Sequence, residues 1–258
     1  MPRKYFKKAK RIFRQNTFIQ TQRGLLPFLL SRSDQRRSFS ITIDEQASVS
    51  VAAPYFASQQ EIFGFIRQKQ RWIFLKIEEA KRNQELINNR CFHSGQEFLF
   101  LGRGFRINVK EDNIKRPQVD FNGYAWEVKV PDGLQDEQRE EAVKSKMVQW
   151  YRQQAQEILP QRIFYYSRLM NVEPKNINVR SFKRLWGNCD YRKQSVQFNW
   201  QIILSPVNVI DYVVVHELCH LVHPNHSKRF WKKVEKYMPD FREHRQWLRR
   251  HATHITLP

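Results

Sequence analysis

The sequence has few cysteines, and their spacing shows no pairing. Cys91, Cys189 and Cys219 are an odd number of thiols without a C-x-x-C pair. Such a set argues against a disulfide-stapled secreted fold, and the missing C-x-x-C spacing argues against a zinc ribbon. We therefore predict that the chain works in a reducing compartment, which favours a cytoplasmic location.

Long hydrophobic runs are also missing. No stretch approaches the run of about 18 apolar residues that a membrane-spanning helix requires. The best candidate for the apolar part of a secretory signal, residues 24–30, is short and is interrupted by Pro27. The sequence therefore predicts neither a membrane span nor a secretory signal.

Acidic residues are scarce relative to basic ones. The 258 residues include 45 Lys and Arg against 25 Asp and Glu, which gives a formal net charge of +20. Such an excess attracts polyanions over a long range, so nucleic acid is a candidate partner, as are acidic proteins and anionic lipids. The same excess is compatible with an ordinary solvated surface, because net charge carries no information about the fold.

Apolar residues are plentiful enough for a globular core, at 41% hydrophobic and 14% aromatic. Residues 1–33 carry nine basic residues and no acid, and we predict a basic N-terminal extension. It is expected to be disordered or to form a short surface helix that uses Tyr5, Phe6, Ile12 and Phe13. The folded domain is predicted over 34–258, with an N-terminal α+β part over 34–135 and a catalytic core over 136–258.

The pattern of apolar residues predicts an α+β fold. Alternation predicts hairpins over 38–51 and 96–109 and strands over 124–130, 176–182 and 194–198. Helical spacing predicts helices over 58–83, 136–159, 205–223, 227–238 and 240–251. Ser58 and Glu61 have the spacing of a capping box, and Pro160 is expected to kink or end the second helix. No internal repeat is evident.

The segment His216-Glu217-Leu218-Cys219-His220 carries the most specific chemical pattern. Two histidines four residues apart on a helix lie one above the other, so their imidazoles can hold one metal ion together. Glu217 lies beside them, where a carboxylate can accept a proton from an attacking water. The alternative is that both histidines are satisfied core residues and that Glu217 is salt-bridged. The helix is apolar on both sides of the motif, which makes an unpaired ionisable group costly and favours the metal.

A catalytic zinc site uses three protein ligands and leaves one position open. His226 follows His216 by ten residues, as in the longer metalloprotease pattern HExxHxxGxxH, although His223 stands where that pattern has glycine. His226 is therefore the predicted third ligand, and His223 and Glu235 are the rivals. We predict one zinc ion per chain. Manganese or another divalent ion is the alternative, because affinity alone does not separate these metals.

Several segments together resemble the YgjP-like metallopeptidases, which are zincins related to the SprT-like and WLM groups. The segments are Asp211 to His220, Asn225-His226-Ser227, Phe230-Trp231, Tyr237-Met238-Pro239-Asp240, Trp186-Gly187, Cys189 and Phe198-Asn199-Trp200. The resemblance covers residues from about 32 to 250 and is densest over 184–248. The sequence departs from the family's common Arg-Trp-Gly-Ser-Cys at Leu185 and Asn188.

This resemblance implies a zincin-like fold, with N-terminal β-hairpins and a helix packed on a mixed sheet, an HExxH active-site helix and C-terminal helices. It implies that His216, His220 and His226 bind zinc and that Glu217 is the general acid/base of a peptidase acting on peptides or proteins. Trp186, Gly187 and Asn188 are a candidate substrate cleft, in which a strand edge pairs with an extended peptide. The alternative for Trp186 and Gly187 is a packed turn between two strands.

A second hypothesis belongs to another class of protein. The net charge of +20 is compatible with a nucleic-acid-associated protein whose zinc is structural. A structural site is closed by four protein ligands, so His223 or Cys219 would have to join the three histidines. The two hypotheses combine in a peptidase that its basic surface recruits to nucleic acid.

Overall fold

The computed structural model describes residues 11–258 and has a mixed α+β architecture, as predicted. The described residues form two compact units that divide between Asn89 and Arg90. This division does not coincide with the boundaries predicted after residues 33 and 135. Tyr5 and Phe6 lie outside the described residues.

The first unit contains a four-stranded sheet and one long helix. Its strands are β1 (Ile12–Thr21), β2 (Gly24–Ser33), β3 (Ser40–Ile43) and β4 (Val49–Pro54), and its helix is α1 (Gln59–Asn88). The sheet order is β1-β2-β4-β3, with two antiparallel hairpins joined by a parallel β2–β4 pair. Ser58 and Glu61 form the predicted capping box at the start of α1.

The prediction of a disordered tail or surface helix is wrong for residues 12–33, which form β1 and β2. Leu26, Phe28 and Leu30 alternate into the core of the first unit. Pro27 interrupts the apolar run without breaking the strand. Because β4 pairs only with residues 29–33, β2 has a single neighbour at Pro27, and proline's missing N–H is tolerated at such positions.

The second unit begins with a sheet of the same order. Its strands are β5 (Glu97–Phe100), β6 (Arg103–Asp112), β7 (Gln118–Phe121) and β8 (Ala125–Pro131), in the order β5-β6-β8-β7 with a parallel β6–β8 pair. A long helix, α2 (Asp136–Met170), follows as α1 follows β4. The topology therefore repeats where the sequence shows no repeat, because pairing depends on apolar alternation more than on residue identity.

Pro160 lies inside α2 and does not end it, so the predicted helix end is wrong, whereas the predicted kink stays a prediction. Proline in a helix interior costs about 3 kcal/mol, because it removes a hydrogen bond and its ring crowds the preceding turn. Leu159, Ile163 and Tyr166 are buried around it in the core of the second unit. Burial of these side chains on both sides of the proline offsets that cost.

The rest of the second unit carries the candidate site. Its elements are β9 (Asn176–Arg180), β10 (Gly187–Asp190), β11 (Ser195–Asn199), a 3-10 turn (Trp200–Leu204), α3 (Val207–His220), α4 (Lys228–Tyr237) and α5 (Phe241–His251). The sheet order β10-β11-β9 leaves β10 at an edge. Within residues 11–258, no helix combines the length and apolarity needed to cross a bilayer.

Candidate metal centre and its cleft

The segment from His216 to His220 lies on the most deeply buried helix of the second unit. α3 packs against α2, α4, α5 and β10. Apolar side chains surround the motif on this helix: Val209, Ile210, Val213, Val214, Val215 and Leu218 are all buried. Burial on every face fixes α3, so His216 and His220 project from a rigid element.

A tight chain reversal brings His226 back to the end of α3. The amide of His223 donates to the carbonyl of Cys219 at 2.9 Å, and Pro224 and Asn225 follow outside any helix. Ser227 then caps α4 by accepting a hydrogen bond from the amide of Phe230. The reversal places His226 above the two histidines of α3.

The three histidines converge through their Nε2 atoms. His226 Nε2 lies 3.0 Å from His216 Nε2 and 3.2 Å from His220 Nε2. Two nitrogens bound to a tetrahedral zinc ion at about 2.0–2.1 Å are about 3.3 Å apart. Each neutral imidazole carries a single ring proton, so an Nε2 atom without that proton offers a lone pair. Three such lone pairs at this spacing suit a cation between them.

Phe230 forms the floor of the histidine cluster. Its ring centroid lies 4.9 Å from that of His216, 4.5 Å from that of His220 and 4.8 Å from that of His226. Its side chain is fully buried, and Trp231 stacks on His226 with centroids 5.6 Å apart. Both aromatic residues therefore anchor the histidines from below.

His216 and His220 are held in the neutral form that binds metal. Burial, then the charges of His220, His226 and Arg245, lowers the pKa of His216 to about 3. Burial also lowers the pKa of His220. His220 Nδ1 lies 3.0 Å from the carbonyl of His223, which assigns the proton to Nδ1 and leaves Nε2 free to bind a metal. His223 thus orients a histidine of the cluster through its backbone.

Glu217 lies beside the cluster and is only 6% exposed. Burial raises the pKa of its carboxyl to about 8, and no neighbouring charge contributes to the shift. The salt-bridged alternative therefore has no support in the structure. A buried carboxyl with a raised pKa next to three histidines is typical of a group that takes up and releases a proton.

Neither Glu235 nor Cys219 is placed to serve as a metal ligand. Glu235 pairs with Arg242 at 2.9 Å. Cys219 is fully buried, and burial raises the pKa of its thiol to about 12. Among the described residues, the one group with three converging metal-ligand atoms is His216, His220 and His226.

The candidate substrate segment forms one wall of a cleft above the histidines. Gly187 and Asn188 begin the edge strand β10, so the packed-turn alternative is wrong for Gly187. Trp186 precedes the strand, and its carbonyl accepts a hydrogen bond from the amide of Asn199. The Asn199 side chain also donates to the carbonyls of Phe182 and Leu185, which fixes the loop leading into β10.

Gly187 touches the proposed general base directly. A Cβ atom at this position would lie 2.6 Å from Cγ and 2.8 Å from Oε1 of Glu217. Contacts of this length force either the strand or the carboxyl group to move, because both belong to packed elements. Glycine is therefore needed here for close approach.

Gly187→Ala is expected to lower turnover by about 100-fold, because displacements of about 1 Å at a catalytic group have effects of that size. Steady-state kinetics with a peptide substrate would measure the loss. Gly64→Ala is the control, because it adds the same methyl group on α1 where nothing lies within 4 Å, and it should remain within a few-fold of the wild type. Equal activities in Gly187→Ala and the wild type would contradict the tight contact.

The cleft encloses about 630 Å³, and its second wall is α5. Arg245, Leu248 and Arg249 line it from that helix. Tyr212 also lines it, and burial, opposed by Arg245, raises the pKa of its hydroxyl to about 12, so the hydroxyl stays protonated at neutral pH. Sequence reasoning missed these residues, although Tyr212 precedes His216 by one helical turn and therefore shares its face.

His226→Ala is expected to reduce zinc affinity by at least about 10–100-fold, the size of effect seen even for residues that only orient ligands. His223→Ala is the matched control, because its contribution is a backbone carbonyl that alanine keeps. Competition with a chromogenic chelator would measure both. Tighter zinc binding by His226→Ala than by His223→Ala would show that His223, and not His226, is the third ligand.

The free energy of unfolding of the zinc-free protein should depend on pH through Glu217. With a pKa of about 8 in the folded state against 4.5 ordinarily, the folded carboxyl keeps a proton that the unfolded one loses. Stability therefore falls as the pH rises from 4.5 to 8. In a chelating buffer, Glu217→Gln is expected to raise the free energy of unfolding at pH 8 by a few kcal/mol, since one pKa unit is about 1.4 kcal/mol.

At pH 5 the same substitution should have a much smaller effect. His216 contributes an opposite dependence, because a lowered pKa costs stability as the pH falls below 6.5, but it does so in both proteins. Urea unfolding at the two pH values measures the difference. If Glu217→Gln raises the free energy of unfolding equally at pH 5 and pH 8, burial of the charged carboxylate is not the cause of the increase.

Comparison with known protein families assigns the chain to the metallopeptidases. The model of the YgjP-like family, metallopeptidase domain, matches residues 37–251. The chain therefore belongs to the YgjP-like metallopeptidase family.

Two further comparisons add no argument. No curated protein matches the chain. Among solved structures, the crystal structure of the metallopeptidase zymogen of Pyrococcus abyssi abylysin is similar at 17% identity and a TM-score of 0.34. That match covers 36% of this chain and 94% of abylysin, and a TM-score this low supports no inference about fold.

Proposed function

We propose that the chain is a zincin-like, zinc-dependent metallopeptidase that hydrolyses peptide bonds. The observation that carries the proposal is the convergence of three histidine Nε2 atoms beside a buried carboxyl group, at the floor of an accessible cleft. His216, His220 and His226 would hold one zinc ion per chain. Three protein ligands leave a position for solvent, which is the arrangement of catalytic rather than structural zinc sites.

A bound zinc ion would polarise the substrate carbonyl. It would also lower the pKa of water, so that hydroxide becomes available as the nucleophile at neutral pH. With zinc bound, the charge of the ion would lower the pKa of the Glu217 carboxyl again, so that the carboxylate accepts the proton from the attacking water and then delivers it to the nitrogen of the departing amine. Gly187 keeps this carboxyl close to the strand wall. Tyr212 lines the same cleft and keeps its hydroxyl proton at neutral pH, so we propose this hydroxyl as a hydrogen-bond donor to the substrate.

The edge strand β10 suits an extended peptide. A strand with a neighbour on one side only has backbone N–H and C=O groups available on the other, and a peptide can pair with them. Trp186, Gly187 and Asn188 line the cleft at this edge. We propose that substrate binds along β10 with its scissile bond above Glu217 and the histidines.

The test combines metal analysis with an activity assay. The purified protein is expected to contain one zinc ion per chain and to cleave casein or members of a peptide library. Chelation should abolish cleavage, and zinc should restore it. A fully zinc-loaded protein that cleaves no peptide bond in casein or in a broad library would contradict the proposal.

Recruitment to nucleic acid, or a purely structural zinc in a nucleic-acid-associated protein, stays a prediction motivated by the net charge of +20. Electrostatic binding to nucleic acid weakens steeply as salt rises. Binding that is measurable at low salt and hardly changes with salt would count against the electrostatic origin.

A further inference from the structure

The charge of the cleft wall is unexpected for a general peptidase. Among the described residues that line the cleft, Glu217 is the one acid, and it lies beside the histidines. Arg245 and Arg249 lie on the opposite wall, where α5 presents them together with Leu248 and Ala252. Residues spaced three, four and seven apart share one face of a helix, so both guanidinium groups point to the same side.

Neither arginine has an acidic partner in the part of the chain that the structure describes. Within residues 11–258, no carboxylate lies within 4.0 Å of the guanidinium of Arg245 or Arg249. Of the nearby acids, Glu235 pairs with Arg242, and Asp240, just before α5, pairs with His244. Glu243, on α5 itself, is among the carboxylates that lie farther than 4.0 Å from both guanidinium groups. Two positive charges thus face a cleft that holds no balancing acid on that wall.

Arg245 is held close to the metal centre. Its guanidinium carbon lies 5.0 Å from the centroid of the Trp231 ring, and that ring stacks on His226. A cation over an aromatic ring is attracted to it, which reduces the freedom of a long exposed side chain. The guanidinium is planar and presents several N–H donors, the geometry that matches a carboxylate in a two-point contact.

We propose that Arg245 and Arg249 form a carboxylate-binding subsite that selects peptides with a negative charge near the scissile bond. The inference rests on the proposed peptidase function and adds its substrate class. The carboxylate comes either from an Asp or Glu side chain or from the C-terminus of a short peptide. An extended peptide paired with β10 would direct such a group across the cleft toward α5.

The experiment measures peptide binding separately from cleavage. Zinc-loaded Glu217→Gln protein is titrated with fluorescent peptides of one length: a neutral amidated peptide, a series in which a single Glu occupies each position in turn, and the neutral peptide with a free C-terminus. Arg249→Gln, Arg245→Gln and Arg250→Gln are compared in the same background. Arg250 is the matched control, since it is an exposed arginine on α5 that does not line the cleft.

At least one charged peptide is expected to bind about 10-fold more tightly than the neutral one, the value of one hydrogen-bonded charge contact. Arg249→Gln or Arg245→Gln should remove most of this preference, and Arg250→Gln should keep it. A preference for one Glu position assigns the subsite to side chains, whereas a preference for the free C-terminus assigns it to terminal carboxylates. Equal binding of neutral and charged peptides overturns the proposal, as does an equal loss in Arg250→Gln.

Cleavage of the same peptides by the wild-type protein tests the carboxylate subsite and the peptidase function separately. Neutral and charged peptides cleaved at equal rates would reject the subsite and leave the peptidase intact. Selective binding of charged peptides without any cleavage by the zinc-loaded wild type would support the subsite and contradict the peptidase function.

Discussion

Replacing Glu217 with glutamine is expected to lower turnover by about 100-fold to 10,000-fold, the usual contribution of a general acid or base. Glutamine has nearly the same shape and can occupy the same narrow space beside Gly187. It cannot take a proton from water at neutral pH, so the proposed chemistry loses its acceptor. His216, His220 and His226 are unchanged, so the zinc content should remain at one ion per chain.

The matched control is Glu235→Gln, which makes the same chemical change at an exposed carboxylate on α4. It should keep both zinc and turnover. Zinc analysis and steady-state kinetics on the three proteins give the comparison. Undiminished turnover in Glu217→Gln at full zinc occupancy would refute the assigned role of this carboxyl.

Asp211→Ala is expected to lower the free energy of unfolding by about 2–4 kcal/mol, because it leaves a partly buried cation without its partner. Arg162 donates from Nε and Nη2 to the two oxygens of Asp211, at 2.6 and 2.5 Å, and Tyr166 donates its hydroxyl to the same carboxylate at 3.2 Å. Arg162 and Tyr166 belong to α2, and Asp211 lies one and a half turns before His216 on α3. The contact therefore fixes the metal-binding helix against α2.

Urea unfolding of the zinc-free protein would measure this loss without the contribution of metal binding. Asp211→Asn should cost less than alanine, because its amide keeps part of the hydrogen bonding. Glu235→Ala is the control, since it breaks an exposed pair with Arg242, and exposed pairs contribute roughly 0–1 kcal/mol. Similar losses in Asp211→Ala and Glu235→Ala would show that the buried contact does not hold α3 in place.

The sequence predicts the local features of the fold and of the candidate site well. The helix with His216 and His220 follows from an apolar run and a four-residue spacing, and the capping box at Ser58 follows from two side chains. The break at Pro224-Asn225 places His226 beside both histidines, as the spacing suggested. Each of these signals lies within a few residues of the structure that it specifies.

Features that depend on distant contacts could not be predicted in the same way. Strand β10 contains Gly, Asn and Asp, which are poor strand formers, and it forms because β11 offers a buried partner. Arg245 and Arg249 line the cleft because α5 packs beside α3, which no local pattern encodes. Likewise, α2 continues through Pro160 because the second unit buries both halves of the helix.

X-ray absorption at the zinc edge of the zinc-loaded protein tests the central claim most directly. We expect three imidazole nitrogens and one solvent oxygen at about 2.0–2.1 Å. A sulfur ligand at about 2.3 Å, from Cys189 or Cys219, or a fourth imidazole in place of the oxygen would close the coordination shell. Either result would contradict a catalytic zinc centre in this cleft.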